Sequence, residues 1–207
     1  MSAPEVRTLE ATPVGPYRLP TPAENTKLGI WVWLASDCAL FAALIATYVS
    51  MHGHVGHAPT PQQLFDLPLT ATATFVLLLS SLTMGLGLEA AQHGEHQRLM
   101  RWLVVTMILG LAFVGLQAVE FTTYVHRGLT PDASNFGASF FTLVGFHGLH
   151  VTFGVAWLLS IFIFVVRKGP LGPRDLWRLE AASLYWYFVD VVWVVIFTVV
   201  YLLGKVS

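Results

Sequence analysis

Five long apolar stretches set the limits on what this chain can fold into: Leu28 to Met51, Phe65 to Leu88, Leu99 to Tyr124, Ala138 to Val166 and Glu180 to Gly204. Each is long enough to cross a hydrocarbon core of about 30 Å, which takes roughly 20 helical residues. In lipid, only a helix satisfies every backbone polar group within one segment. The stretches therefore predict an all-α integral membrane bundle of five transmembrane helices. The residues 1–27 before them, with Pro13, Pro16, Pro20 and Pro22 and no continuous apolar core, read as an N-terminal arm rather than a cleaved signal. Residues 28–207 then form the transmembrane domain.

The balance of residue types agrees. The chain is 55% hydrophobic and 11% charged, whereas soluble domains carry about 25% charged residues. Its aromatic content suits rings that anchor helix ends at the headgroups. A net charge of -1 offers no basic surface for nucleic acid, and the single cysteine, Cys38, provides neither a disulfide nor a thiolate cluster.

The connections carry turn formers or charges, such as Gly53, Gly56, Pro59 and Pro61 in the first and Gly169, Pro170, Gly172 and Pro173 in the fourth. Orientation follows from basic residues. Arg7, Arg18, Lys27, Arg98, Arg101, Arg167, Lys168, Arg174 and Arg178 fall on one side, and Arg127 and Lys205 on the other. That bias predicts a cytoplasmic N-terminus and an outside C-terminus.

A charged group near the bilayer centre costs several kcal/mol on insertion scales and asks for a partner or a purpose. Asp37 and Asp190 lie nine and ten residues into their helices, roughly 14 Å deep at 1.5 Å per residue. Glu120 falls near the outer interface. Asp37 and Asp190 suit proton relay or an anchoring contact; equally they suit structural carboxyls, with Tyr185, Trp186, Tyr187 and Trp193 as candidate donors to Asp190. His147 and His150, spaced i, i+3 near mid-membrane, suit a metal or heme pair, or an interhelical hydrogen-bonding pair admitted by Gly145, Gly148 and Gly154. A redox metal wants more ligands than the pair supplies, so no metal is expected on this chain. His52, His54 and His57 in the first connection read as a solvated loop. A small ion transporter built on the three acids would want discontinuous helices or an internal repeat, and the sequence displays neither.

Three segments resemble signature regions of subunit III of heme-copper respiratory oxidases: Gly145-Phe146-His147-Gly148-Leu149-His150-Val151, Tyr185 through Trp193, and Gln117-Ala118-Val119-Glu120-Phe121. The resemblance runs from about Leu28 to Gly204. Ser36-Asp37-Cys38 and Phe197 to Leu202 are similar to the bo-type ubiquinol oxidases, whose shorter forms begin where the third helix of seven-helix members does. Gly145-Phe146-His147 and Glu180-Ala181 are similar to the cytochrome c branch, the alternative donor class. The family usually carries His where this chain has Tyr187.

The resemblance implies a bacterial inner-membrane complex that oxidises quinol, reduces oxygen to water and moves protons. Its hemes, copper and quinol site would belong to subunit I, leaving this chain without a redox centre. This chain would flank subunit I, alongside subunits II and IV. It would support proton uptake and durability, with Asp37, Glu120 and Asp190 as candidate proton or subunit contacts. Phospholipid would lie in a cleft between the first two helices and the other three, near His147, His150, Trp186, Tyr187 and Trp193, with Arg98 and Arg101 meeting phosphate.

Overall fold

The computed structural model describes residues 22–51, 66–132, 134–172 and 175–203. Most of the N-terminal arm, the loop with His52, His54 and His57, Arg174 and Lys205 lie outside the described residues. Five helices follow one another: α1 (Pro22–Met51), α2 (Leu67–Gln92), α3 (His96–His126), α4 (Asn135–Lys168) and α5 (Leu176–Ile196), the last continued by a π-helical turn over Phe197–Leu203. All five are long and apolar enough to cross a membrane, and the described residues contain no strand.

Several helices outrun the apolar stretches that mark them. Helix α4 has 34 residues, which at 1.5 Å per residue is about 51 Å and exceeds the hydrocarbon thickness. Hydropathy marks the part of a helix that lipid covers, whereas good helix formers such as Glu89, Ala90, Ala91 and Gln92 carry α2 on into the headgroups. Stops are set by backbone chemistry. Gly94 (φ 73) and Gly128 (φ 92) adopt the left-handed conformation after α2 and α3. The next residues bond back into the last turn, Glu95 N to Ala90 O at 2.8 Å and Leu129 N to Tyr124 O at 3.0 Å, the hydrogen-bond pattern of a Schellman motif. At the other end of α4, Ser134 caps the helix by accepting from Gly137 N at 3.0 Å.

Helices α2, α3, α4 and α5 close a ring: α2 packs along α3, α3 on α4, α4 on α5, and α5 back on α2, while α1 lies against the α4–α5 edge. This differs from the expected division of the first two helices from the other three. The short α2–α3 connection makes those two antiparallel neighbours, and α2 is tied to α5 by its hydroxyls. Trp186 Nε1 donates to Ser80 Oγ and Trp193 Nε1 to Thr74 Oγ1, each at 3.0 Å, and Thr83 and Thr106 hydroxyls meet at 2.8 Å across α2 and α3. Lipid supplies little hydrophobic drive between helices, so packing and such bonds decide which faces meet.

Helix α1 is held differently. Among its described residues only Leu34, Asp37, Phe41 and Tyr48 are buried, a stripe with near-heptad spacing. Ile30, Trp33, Leu44 and Ile45 flank the stripe, half-buried against the bundle, with Trp33 stacked on Tyr185 at 5.2 Å, while Leu28, Trp31, Val32, Leu40 and Val49 are exposed.

Candidate functional site

The polar groups singled out near mid-membrane are positioned by α1, α4 and α5. Asp37 projects from the buried stripe of α1 toward α4, where its Oδ2 lies 3.8 Å from His150 Nε2, with side chains 12% and 18% exposed respectively. His150 is anchored on its other side: its Nδ1 is 2.7 Å from Phe146 O. Tyr185 of α5 donates to the His150 carbonyl at 3.0 Å. Phe41 places its ring 4.9 Å from the imidazole at a steep angle.

His147 shares α4 with His150 but turns inward. It is fully buried and stacks on Trp193 with centroids 4.8 Å apart, while Phe113 meets it edge-on at 5.7 Å. Neither ring nitrogen has a hydrogen-bond partner among the described residues. Three residues turn a helix by about 300°, leaving the two side chains about 60° apart. That is enough to send one to α1 and the other to the core, so they do not act as a pair. Gln117 fills the space that Gly148 leaves: a Cβ there would lie 2.9 Å from its amide nitrogen, which donates to Val144 O at 2.7 Å.

Asp190 lies one turn beyond Trp186 and one turn before Trp193, both bonded to α2, so it sits at the α2–α5 interface. Three of the four donors expected for it are directed elsewhere: Tyr185 to His150, Trp186 to Ser80 and Trp193 to Thr74. Its oxygens are buried with no hydrogen-bond partner among the described residues. Tyr187, half-buried, puts its hydroxyl 3.1 Å from where a Cβ on Gly85 would stand.

Glu120 is the best-satisfied acid. Its Oε1 accepts from the Thr70 hydroxyl and from Tyr124 at 2.6 Å, and its Oε2 accepts from Tyr201 at 3.3 Å. One carboxyl thus joins α2, α3 and the π-helical end of α5, with Thr70 in the first turn of α2. Sequence reasoning missed all three donors; only Tyr124, one turn from Glu120 on the same face, carried a signal. Arg98 and Arg101 are exposed at the α2–α3 end, Arg98 paired with Glu95 at 2.6 Å and Arg101 bonded to Gln97 O at 3.3 Å.

As a donor set for heme or copper these residues fit poorly. Nδ1 of His150 is occupied, His147 is enclosed by aromatic rings, and among the described residues no three of His, Cys, Asp and Glu gather to hold a metal ion.

Comparison with known proteins adds the family dimension. A family model described as cytochrome c oxidase subunit III matches residues 9–205. Cytochrome c oxidase subunit 3 of Bacillus sp. (strain PS3) is 41% identical over the full length of both chains. Cytochrome bo(3) ubiquinol oxidase subunit 3 of Pseudomonas aeruginosa is 42% identical, covering 87% of this chain and 86% of its own. A probable quinol oxidase subunit 3 of Staphylococcus haemolyticus is 40% identical over 87% of this chain and 90% of its own.

Proposed function

This chain belongs to the cytochrome c oxidase subunit III family, and from that membership we propose that it serves a quinol-fed oxidase, with Asp37 supporting proton uptake. It is subunit III of a heme-copper terminal oxidase, a multi-pass membrane component of an oxidoreductase complex. The observation that carries the proposal is the seat of Asp37, an ionisable group retained near mid-membrane and facing a second ionisable group. Quinol as donor is supported by the similarity of Ser36-Asp37-Cys38 to the bo-type ubiquinol oxidases and by relatives named as quinol oxidase subunits. The full-length relative named as a cytochrome c oxidase subunit favours the second reading. Oxygen consumption by the purified complex separates them. Reduced quinol should drive it and reduced cytochrome c should not; the converse overturns the donor.

The hemes and copper we assign to subunit I, which this chain flanks together with subunits II and IV, in a bacterial inner membrane. The poor donor set described above supports that division of labour. Bound phospholipid belongs to the same reading, because Arg98, Arg101 and the basic α4–α5 connection lie at one end of the bundle, where phosphate groups would meet them.

Two outcomes follow. First, Lys27 pairs with Glu180 at 3.5 Å, which puts the α1 and α5 starts at the end that bears Arg98, Arg101, Arg167, Lys168 and Arg178. With that end cytoplasmic, a periplasmic reporter fused after Ser207 should be active. Cytoplasmic activity of the same fusion would reverse the topology. Second, Asp37→Asn should leave the complex assembled with its heme spectrum unchanged, and should alter the pH dependence of turnover or its decay over time. An assembled variant with wild-type profile and lifetime would make Asp37 a structural residue.

A further inference from the structure

The contact between Asp37 and His150 has a defined polarity. A carbonyl oxygen only accepts, so the 2.7 Å contact to Phe146 O requires His150 Nδ1 to carry hydrogen. In the neutral ring Nε2 is then the acceptor, which is the nitrogen that faces Asp37 Oδ2 at 3.8 Å. That oxygen is buried and has no hydrogen-bond partner among the described residues. Reversing these roles by a ring flip would forfeit the Phe146 bond, and Phe41 packs against the imidazole at a steep angle, 4.9 Å between ring centres.

We propose that Asp37 and His150 hold one proton between them and act as a single proton-binding unit where α1 meets α4. This deepens the reading of Asp37 as the proton-support residue and rests on it. With the proton on Asp37 both side chains are neutral; with the proton moved from Oδ2 to Nε2 they are carboxylate and imidazolium, and the net charge is unchanged. When the proton leaves, a carboxylate and a neutral imidazole remain with a charge of minus one. Uptake of one proton from outside restores the first state. The present distance of 3.8 Å lies about 0.6 Å beyond the usual hydrogen-bond range, so a modest rotation of the Asp37 side chain makes the bond.

The surroundings isolate this unit. On α4, His147 is one turn away and points into the core against Trp193. On α5, the Tyr185 hydroxyl is directed to the His150 carbonyl, and Asp190 lies on the face toward α2. On α1, Cys38 is exposed and Lys27 lies ten residues toward the cytoplasmic end, roughly 15 Å away. Among the described residues, no other charged side chain on the three packed helices faces the pair. His150 is accordingly a positioning residue that gives Asp37 its proton partner.

The test uses the intact oxidase complex as wild type, Asp37→Asn, His150→Gln and the double variant. Turnover decay is followed against pH, and infrared difference spectra are recorded with carbon-13-labelled aspartate. The carboxyl band absent from Asp37→Asn identifies Asp37. In His150→Gln that band should change its frequency and its pH dependence relative to wild type, because the Nε2 acceptor facing Oδ2 is gone. The double variant should decay as Asp37→Asn does, with no added effect. If His150→Gln leaves the Asp37 band and the profile at wild type while Asp37→Asn changes the profile, the shared proton is refuted and the Asp37 reading stands. If Asp37→Asn leaves the profile unchanged, the Asp37 reading itself fails. Should His150→Gln not assemble, wild type still decides: the carboxyl band and the imidazole ring band must titrate together, and separate titrations refute the unit.

Discussion

Trp186→Ala is expected to cost the bundle about 3–5 kcal/mol, the range for truncating a fully buried tryptophan. The ring is 1% exposed and is the point at which α5 touches three other helices. It fills the gaps left by Gly110 on α3 and Gly154 on α4, where an added Cβ would come within 2.7 Å and 2.9 Å of its atoms, and its Nε1 donates to Ser80 on α2. Alanine would leave a cavity at the crossing of all four ring helices. A native protein is stable by only about 5–15 kcal/mol, so subunit retention in the purified complex should fall sharply on warming. The same contact predicts a graded series. Ser80→Ala loses one hydrogen bond, about 1 kcal/mol. Gly110→Ala forces the ring or Val155 to shift, about 1–3 kcal/mol. Retention equal to wild type in Trp186→Ala would show that this crossing contributes little.

Glu120→Leu should be the next most damaging change. It removes the common acceptor of Thr70, Tyr124 and Tyr201, and at about 1 kcal/mol net per bond the loss is roughly 3 kcal/mol. Glu120→Gln keeps an oxygen where Thr70 and Tyr124 donate and places an amide beside Tyr201, whose hydroxyl can also accept. Its cost should be about 1 kcal/mol. Resistance of the helix ends beside Glu120 to proteolysis measures both, and a Gln variant as labile as Leu would show that charge rather than hydrogen bonding holds the cluster.

These examples mark what the residues reveal unaided. Helix number is legible because lipid leaves the backbone one solution. Neighbours are less so: hydropathy does not say that α1 rests on α4 and α5 rather than beside α2. Asp37 and His150 each stood out, but their meeting depends on the rotation of two helices separated by most of the chain. Tyr201 reaches Glu120 from a π-helical turn, whose wider winding breaks the 3.6-residue register by which faces are assigned. Asp190 shows the opposite error, since good donors nearby in sequence were already directed to other helices.

The order of the helices along the chain also bears on synthesis. Helix α1 emerges well before its partners α4 and α5, and the residue facing Asp37 is His150. At about 5–20 residues per second the ribosome needs about 6–23 s after Asp37 to deliver that histidine. For that interval α1 must remain in the bilayer as a lone helix, carrying an acid whose insertion costs about 2.5–3.5 kcal/mol at a helix centre. The outward surface of α1, rich in Leu, Val, Trp and Ala, is therefore what keeps the nascent protein in place. Polar substitutions on that surface, remote from every packed contact, should lower the yield of inserted protein before they affect the finished complex.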